Sequence, residues 1–307
     1  MANLYLFLTV FFWGLSFIGT KMALDYLTPS EIIAVRLLLG LPVLILVFVV
    51  RRLSIKLQRG EYLLVVGAGV LLGIHFIIQA MGLKFTSATN TAWLIATAPV
   101  FVAGAARIFL KENLTLRKII GILLGTVGVV VLVSRGRLDN LDWLESIGDW
   151  IILSSCITWA IYTVMTRNIS RTHNPLAISV AILIIPTVSL VAATIAFSPL
   201  EKFIELPFTI IGVLVFLGVF CMGLAHWFWL EGVAARGATE AGVFLYIEPV
   251  VTTLAAIPLL GERITIFMVA GAVLILAGVY LVERRHQAKA RKPNHLDKRV
   301  SEPGRGS

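Results

Sequence analysis

Long apolar runs alternate with short polar segments along nearly the whole chain. Each run has about 20 residues, enough to cross a hydrocarbon core of roughly 30 Å at about 1.5 Å per helical residue. The pattern predicts ten membrane-spanning helices, over residues 4–24, 31–50, 61–81, 88–110, 117–134, 149–167, 176–197, 208–230, 239–260 and 265–283. Composition agrees with a chain that lies mostly in lipid, since 58% of its 307 residues are hydrophobic and only 14% are charged.

Lysine and arginine are unevenly divided between the two predicted faces. The face shared by both termini has nineteen of them and the opposite face has six, so both termini are expected in the cytoplasm of a cell with an inner (plasma) membrane. Residues 284–307 are basic and lack an apolar period, which predicts a disordered cytoplasmic tail. We expect this tail to hold the anionic surface of the lipid bilayer rather than nucleic acid.

The chain contains an internal repeat. "WGLSFIGTK" at 13–21 aligns with "WAIYTVMTR" at 159–167, an offset of 146 residues. After a short insertion, 82–100 aligns with 232–250 at an offset of 150, which pairs Pro99 with Pro249. The same register later pairs Glu112 with Glu262. A register held over this length predicts two copies of one structural unit.

Each unit has five predicted helices, so the second must enter the membrane from the other face. The predicted fold is an all-α integral membrane protein, with ten transmembrane helices as two inverted five-helix repeats around a central cavity. The repeats are 1–134 and 149–283, and 135–148 forms a periplasmic linker. Inverted repeats are an architecture of secondary transporters, because two similar halves that exchange conformations alternate access to one site.

The segments 86–115 and 237–265 resemble the EamA-type transporters of the drug/metabolite transporter superfamily. They read "TSATNTAWLIATAPVFVAGAARIFLKENLT" and "GATEAGVFLYIEPVVTTLAAIPLLGERIT", and a glycine-spaced helix follows each. The resemblance covers both halves. It implies ten helices, cytoplasmic termini, a central cavity and movement of amino acids, drugs or other small metabolites, most often outward.

Polar and aromatic residues near mid-depth are the candidates for substrate binding. Trp13, Trp159 and Glu248 each lie about 9 or 10 residues into a predicted helix, which is close to the midplane. Helical spacing makes polar-aromatic stripes of the residues around the two tryptophans, and these stripes should face each other. The candidates are Trp13, Ser16, His75, Gln79, Asn90, Trp93, Thr97, Trp159, Tyr162, Tyr246 and Glu248. The alternative is that these residues join helices together.

Glu248 has three interpretations. It binds a substrate ammonium group, exchanges a proton during transport, or bonds to main-chain groups freed by Pro249. Gating or structural roles are expected for Pro99, Pro249, Glu112 and Glu262. The glutamates, with Thr115 and Thr265 as N-caps, should satisfy main-chain amides where the fifth and tenth helices begin. Arg36 is expected to reach the periplasmic surface as an anchor.

Rival functions are less consistent with the sequence. An intramembrane enzyme needs convergent nucleophiles or ligands, and the chain has no H-E-x-x-H, G-x-S-x-G or phosphate-binding glycine loop, so no cofactor or metal is expected. No lysine or arginine is expected at the midplane cavity, which disfavours phosphorylated substrates. We expect a small-molecule substrate, with export of amino acids or related metabolites first and of cationic drugs second. No particular oligomeric state is predicted.

Overall fold

The described part of the chain is helical. The computed structural model describes residues 1–134, 146–260 and 265–290, and no β-strand occurs among them. In chain order the α-helices are α1 Ala2–Ala23, α2 Pro29–Val50, α3 Arg59–Phe85, α4 Ala88–Ile95, α5 Ala98–Phe109, α6 Leu116–Ser134, α7 Ile147–Thr172, α8 Pro175–Phe197, α9 Glu201–Ile204, α10 Phe208–Phe216, α11 Ala225–Arg236, α12 Ala238–Val243, α13 Glu248–Leu260 and α14 Ile266–Ala290. A π-helical segment, Leu217–Leu224, joins α10 to α11, and a 3₁₀ turn, Phe244–Ile247, joins α12 to α13.

Seven helical stretches of the described residues are long and apolar enough to cross a membrane. They are Ala2–Ala23, Pro29–Val50, Arg59–Phe85, Ala88–Phe109, Ile147–Thr172, Pro175–Phe197 and Phe208–Arg236. Large apolar side chains point outward, such as Leu63 at 79% exposure and Phe197 at 89%, whereas Arg36 and Glu248 are buried. Apolar groups outside and ionisable groups inside are the distribution expected of a protein surrounded by lipid.

Polar caps define where several helices begin. The Thr28 amide donates to the Glu31 carboxylate at 2.8 Å, and the Ser146 amide donates to the Asp149 carboxylate, also at 2.8 Å. These reciprocal caps satisfy amides that have no partner within the helix. As a result α2 and α7 begin at Pro29 and Ile147, two residues before their predicted starts.

Two predicted runs are interrupted near a proline. The run 88–110 is α4 and α5, which are separated just before Pro99, and the run 239–260 is α12, the 3₁₀ turn and α13, with the turn ending two residues before Pro249. Proline has no N–H to donate and its ring crowds the preceding turn, so each helix is irregular there. The interruptions therefore occur at positions that the sequence repeat pairs.

Further differences from the prediction occur at α14, at the eighth run and at α9. Residues 284–290, which we expected to be disordered, continue α14 to Ala290, because Arg, Gln, Ala and Lys favour helix. The eighth run extends to Arg236 through the π-helical segment, and α9 was not predicted. The remainder of the tail, 291–307, and most of the linker, 135–145, lie outside the described residues.

Glycines allow α6 and α14 to pack closely, as the spacing of Gly121, Gly125 and Gly128 predicts. A Cβ at Gly121 would lie 2.7 Å from the Gly278 carbonyl oxygen, and one at Gly128 would lie 2.8 Å from that of Gly271. A methyl group at either position would overlap the neighbouring backbone. Close backbone approach of this kind is how helices associate in lipid.

Candidate functional site

Helices from both halves of the chain line one cavity. Its lining is polar and aromatic on some walls and aliphatic on others. The lining residues are Trp13, Ser16, Phe17, Arg36, His75, Phe76, Gln79, Ile95, Ala98, Ser155, Cys156, Trp159, Leu245 and Glu248. Six of the eleven predicted substrate-binding residues are among them, namely Trp13, Ser16, His75, Gln79, Trp159 and Glu248.

Two tryptophans from α1 and α7 meet at this cavity. The Trp13 and Trp159 rings are 5.1 Å apart at 86°, and Trp229 of α11 packs against them at 5.5 and 5.3 Å. Trp13 Nε1 donates to the Cys221 carbonyl oxygen at 2.9 Å, whereas Trp159 Nε1 has no partner among the described residues. The expectation that the two stripes face each other is confirmed for these tryptophans.

His75 and Gln79 bring α3 to the same cavity. His75 Nδ1 lies 2.9 Å from Thr158 Oγ1 and 3.1 Å from the Ser155 carbonyl oxygen. The imidazole centroid is 5.0 Å from that of Trp159. These contacts fix the imidazole against α7, while Gln79 lies one turn further along α3 and also lines the cavity.

The Glu248 side chain is 1% exposed and begins α13. Its Oε1 has no hydrogen-bond partner among the described residues. The Glu248 carbonyl oxygen accepts from Thr252 Oγ1 at 3.0 Å, and that hydroxyl also donates to the Gly14 carbonyl oxygen at 2.8 Å. At its Oε1 the Glu248 carboxyl group therefore makes no main-chain hydrogen bond among the described residues.

Arg36 corrects two expectations. Its side chain is 4% exposed and lines the cavity, so it does not reach the membrane surface. Its Nη1 lies 3.4 Å from Thr20 Oγ1, its guanidinium carbon lies 5.6 Å from the Phe76 ring centroid, and its Nε has no partner among the described residues. The reason is that position 36 lies on the buried face of α2 with Leu37. The expectation of a cavity without lysine or arginine is therefore wrong.

Five predicted residues do not line this cavity: Asn90, Trp93, Thr97, Tyr162 and Tyr246. The Tyr162 hydroxyl lies 2.5 Å from His226 Nε2, which joins α7 to α11. Tyr246 points the other way, toward α6, where its hydroxyl donates to the Ile122 carbonyl oxygen at 3.0 Å and contacts Thr126 Oγ1 at 2.9 Å. Both hydroxyls bond between helices, which is the alternative that the sequence left open.

The three candidates on or just after α4 also make local or helix-joining contacts. Asn90 Nδ2 donates to Asp149 Oδ1 at 2.7 Å, and Thr97 Oγ1 donates to the Leu94 carbonyl oxygen at 2.7 Å, next to the helix interruption. Trp93 packs against the hydrophobic core. These residues were predicted from their helical spacing on one continuous helix, and that spacing does not show whether the stripe faces the cavity or another helix.

Glu112 caps a different helix from the one expected. Its Oε1 accepts from the Ala238 amide at 2.9 Å and its Oε2 from the Thr239 amide at 3.2 Å, so it caps α12 rather than α6. Arg167 Nε lies 4.0 Å from the same carboxylate. Glu112 of the first half therefore caps the N-terminus of α12 in the second half. Glu262 lies outside the described residues.

The two threonines of this motif behave differently. Thr265 Oγ1 accepts from the Met268 amide at 3.3 Å, as expected of an N-cap of α14. Thr115 Oγ1 has no partner among the described residues, so its predicted capping role is wrong. Because Glu112 caps α12 and Thr115 Oγ1 has no partner in the described part of the chain, neither residue provides the cap that the sequence motif predicted for α6.

Sequence reasoning missed several lining residues, of which Arg36 is chemically the most informative. A signal for it existed, because a lone arginine in an apolar helix is a functional candidate for the same reason as Glu248. Ser155 belonged to the α7 stripe but was not among the candidates. Phe17, Phe76 and Cys156 had no such signal, since an apolar residue facing a cavity resembles one facing another helix.

Apolar helices around a cavity with buried ionisable groups are the features of a multi-pass membrane protein. A model of the EamA-like transporter family matches residues 1–134 and 146–284. The chain belongs to this family, and it is a transporter rather than an enzyme.

Individual relatives agree with this assignment. A Bacillus subtilis protein described as uncharacterized transporter YyaM is 29% identical over 284 residues, which cover 90% of this chain and 92% of the relative. A Salmonella typhimurium protein described as a probable amino-acid metabolite efflux pump is 26% identical over 285 residues, which cover 89% and 92%. A solved protein structure superposes with a TM-score of 0.74 at 18% identity, over 92% of this chain and 98% of that one, which shows a shared fold.

Proposed function

We propose that this protein is a secondary transporter of the cell inner membrane that exports amino acids or related small metabolites by alternating access. The observation that carries the proposal is the buried cavity, whose walls combine Trp13 of the first half with Trp159 and Glu248 of the second. A site between repeats near mid-depth is where such transporters bind substrate. The Salmonella relative described as an amino-acid metabolite efflux pump supports the substrate class.

Reciprocal glycine contacts support the inverted repeat. A Cβ at Gly121 would meet the Gly278 carbonyl oxygen, and a Cβ at Gly128 would meet that of Gly271. The sequence offset of 150 pairs Gly121 with Gly271 and Gly128 with Gly278. A two-fold axis exchanges the two residues of each pair. If Gly121 contacts Gly278, the symmetry therefore requires that Gly271 contacts Gly128. Both contacts are present, as pseudo-two-fold symmetry requires.

A second pair of contacts supports the same symmetry. Lys21 Nζ donates to the carbonyl oxygens of Leu83 at 2.9 Å and Thr86 at 2.6 Å, at the end of α3. Its repeat partner Arg167 donates to the Ala234 carbonyl oxygen at 3.0 Å, near the end of α11. Each cation thus binds the helix that precedes an interrupted helix. In the proposed topology the first contact is periplasmic and the second cytoplasmic.

The proposed topology has ten transmembrane helices with both termini in the cytoplasm. It adds α6, the pair α12 and α13, and α14 to the seven stretches identified by length and composition. The excess of lysine and arginine on the face of the termini sets the orientation. Interrupted helices at the cavity are typical of transporters, because unwound backbone is tolerated where it lines a polar site.

Cationic drugs are a weaker candidate than the sequence suggested. Arg36 lines the same cavity as Glu248, and its positive charge opposes a second cation there. A substrate with a negatively charged group can pair with Arg36. A substrate whose only charge is an ammonium group cannot.

Flux through reconstituted vesicles tests the proposal. Wild-type protein and the control variant Glu205→Gln, which changes an exposed residue, should carry labelled amino acids that are recovered chemically unchanged. The Glu248→Gln variant, at equal abundance in the vesicles, should carry them about tenfold more slowly or worse. Wild-type vesicles that carry neither amino acids nor related small metabolites would contradict the proposal. Cationic compounds carried instead would support the drug exporter, and a solute recovered in altered form would support an enzyme.

A further inference from the structure

Two ionisable side chains of opposite sign line one cavity without pairing with each other. Arg36 comes from α2 and Glu248 from α13, and they are 4% and 1% exposed. None of the ion pairs among the described residues includes either side chain. The cavity therefore contains a separated cation and a carboxyl group.

The partners of Arg36 do not neutralise it. A guanidinium remains protonated in proteins, and its fixed fork of donors matches a carboxylate. Here it has one long contact to Thr20 Oγ1, at 3.4 Å, and the face of Phe76. Its Nε has no partner among the described residues. A buried cation held only by neutral groups is costly, which favours a negatively charged ligand.

Glu248 presents the complementary half of the site. Its Oε1 is buried and has no hydrogen-bond partner among the described residues. The indole rings of Trp13 and Trp159 line the cavity beside it. Aromatic faces attract an ammonium group, and a carboxylate pairs with one.

We propose that the cavity recognises a zwitterionic α-amino acid, with the α-carboxylate bound by Arg36 and the α-ammonium bound by Glu248. This inference rests on the proposed function and specifies its substrate class. A zwitterion compensates both buried groups, while its own net charge of zero adds none to the membrane interior. A purely cationic ligand leaves Arg36 unpaired, and a purely anionic one leaves the carboxyl group of Glu248 unpaired.

The apolar residues of the cavity provide a place for the side chain of the amino acid. Phe17, Ile95 and Leu245 provide apolar surface to the same cavity. Arg36 and Glu248 therefore bind the α-carboxylate and the α-ammonium of the amino acid, and the apolar walls contact its side chain.

The ligand side of the test uses full-length wild-type protein in detergent. The twenty proteinogenic amino acids are screened by thermal shift, because a ligand bound to the native state raises the melting temperature. The strongest is then compared with its amide, which lacks the carboxylate, and with its N-acetyl derivative, which lacks the ammonium. We expect each derivative to bind about 10- to 100-fold more weakly than the parent amino acid. Equal binding of either derivative would overturn the proposal.

The second part of the test uses protein variants that each remove one of the two charged groups. Arg36→Gln should weaken binding of the parent amino acid about tenfold or more and leave binding of the amide unchanged. Glu248→Gln should weaken binding of the parent amino acid to the same degree and leave binding of the N-acetyl derivative unchanged. Arg59→Gln and Glu205→Gln, at exposed positions, are the controls and should change neither. Equal losses for parent and derivative would show that the residue does not read that group and would overturn the proposal.

Two outcomes separate this inference from the transport proposal. If no amino acid shifts the melting temperature of wild type but vesicles carry another small metabolite, zwitterion recognition fails and transport stands. If vesicles carry nothing while amino acids bind with the expected charge dependence, recognition stands and transport fails. If a variant does not fold, the comparison of the three wild-type ligands alone decides the proposal.

Discussion

The indole rings of Trp13 and Trp159 meet nearly perpendicular, with their centroids 5.1 Å apart. An edge-to-face arrangement is a favoured geometry for aromatic pairs. The two residues are related by the sequence offset of 146, so this contact joins equivalent positions of the two halves. Their polar atoms are not equivalent, however, because Trp13 Nε1 binds the Cys221 carbonyl oxygen and Trp159 Nε1 has no partner among the described residues.

This difference predicts unequal effects of one substitution at the two sites. Trp13→Phe removes the hydrogen bond to the Cys221 carbonyl oxygen and should lower the free energy of unfolding by about 1 kcal/mol more than Trp159→Phe. Trp159→Phe should act mainly on transport, by raising KM, since Trp159 lines the cavity and its Nε1 has no partner among the described residues. Thermal unfolding in detergent and vesicle flux measure the two effects. Equal stability losses would contradict the assignment.

Glu112 should stabilise the contact between the two halves. In Glu112→Gln one carboxylate oxygen becomes an amide group that cannot accept from the α12 amides, and the charge near Arg167 is lost. We expect a loss of about 1 to 2 kcal/mol, measured by thermal unfolding. The exposed Glu205→Gln control should show none. A loss no larger than that of the control would show that the cap contributes nothing.

The α6–α14 contact should tolerate no added methyl group. In Gly121→Ala the new Cβ would meet the Gly278 carbonyl oxygen at 2.7 Å, whereas at Gly104 nothing lies within 4 Å. We expect Gly121→Ala to destabilise by roughly 1 to 3 kcal/mol and Gly104→Ala to be neutral or slightly stabilising. Melting temperatures of the two variants measure the difference. Identical melting temperatures would contradict close packing at Gly121.

Tyr246 should matter for stability and not for substrate. Tyr246→Phe removes a hydroxyl that bonds Ile122 and Thr126 of α6, which should lower the free energy of unfolding by about 1 kcal/mol. KM for the transported amino acid should be unchanged. The matched control Tyr280→Phe, at a side chain that is 63% exposed, should change neither quantity. A raised KM for Tyr246→Phe would restore the substrate-binding role predicted from sequence.

Sequence pattern predicted the helices well, and the reason is physical. Lipid demands long apolar runs with internal hydrogen bonds, so nearly every helix leaves a signal that length and hydropathy detect. Trp13, Ser16 and Trp159 line the cavity, as their helical spacing predicts, whereas Tyr162 on the same predicted stripe as Trp159 contacts His226 instead. The interruptions before Pro99 and Pro249 followed from the chemistry of proline.

The sides of individual residues were harder to predict. An arginine within the apolar helix α2 indicates a functional side chain that faces inward, but its position near the predicted helix end favoured an anchor at the membrane surface. Tyr246 precedes Glu248 by two residues, and positions two apart do not share a face of a helix. Glu112 was assigned to the helix beside it in sequence, whereas its partners, Ala238 and Thr239, are distant in the chain. Contacts of that kind depend on how the halves pack, which no local pattern contains.

The central claim is that the two halves cross the membrane in opposite senses, and labelling of equivalent positions tests it most directly. Asp25 and Arg171 are exposed and are related by the offset of 146. Asp25→Cys and Arg171→Cys are made singly in a background with Cys156→Ala and Cys221→Ala, and whole cells are treated with a membrane-impermeant maleimide. The account predicts that Cys at 25 reacts in intact cells and that Cys at 171 reacts only after permeabilisation. Reaction of both positions from the same face would contradict it.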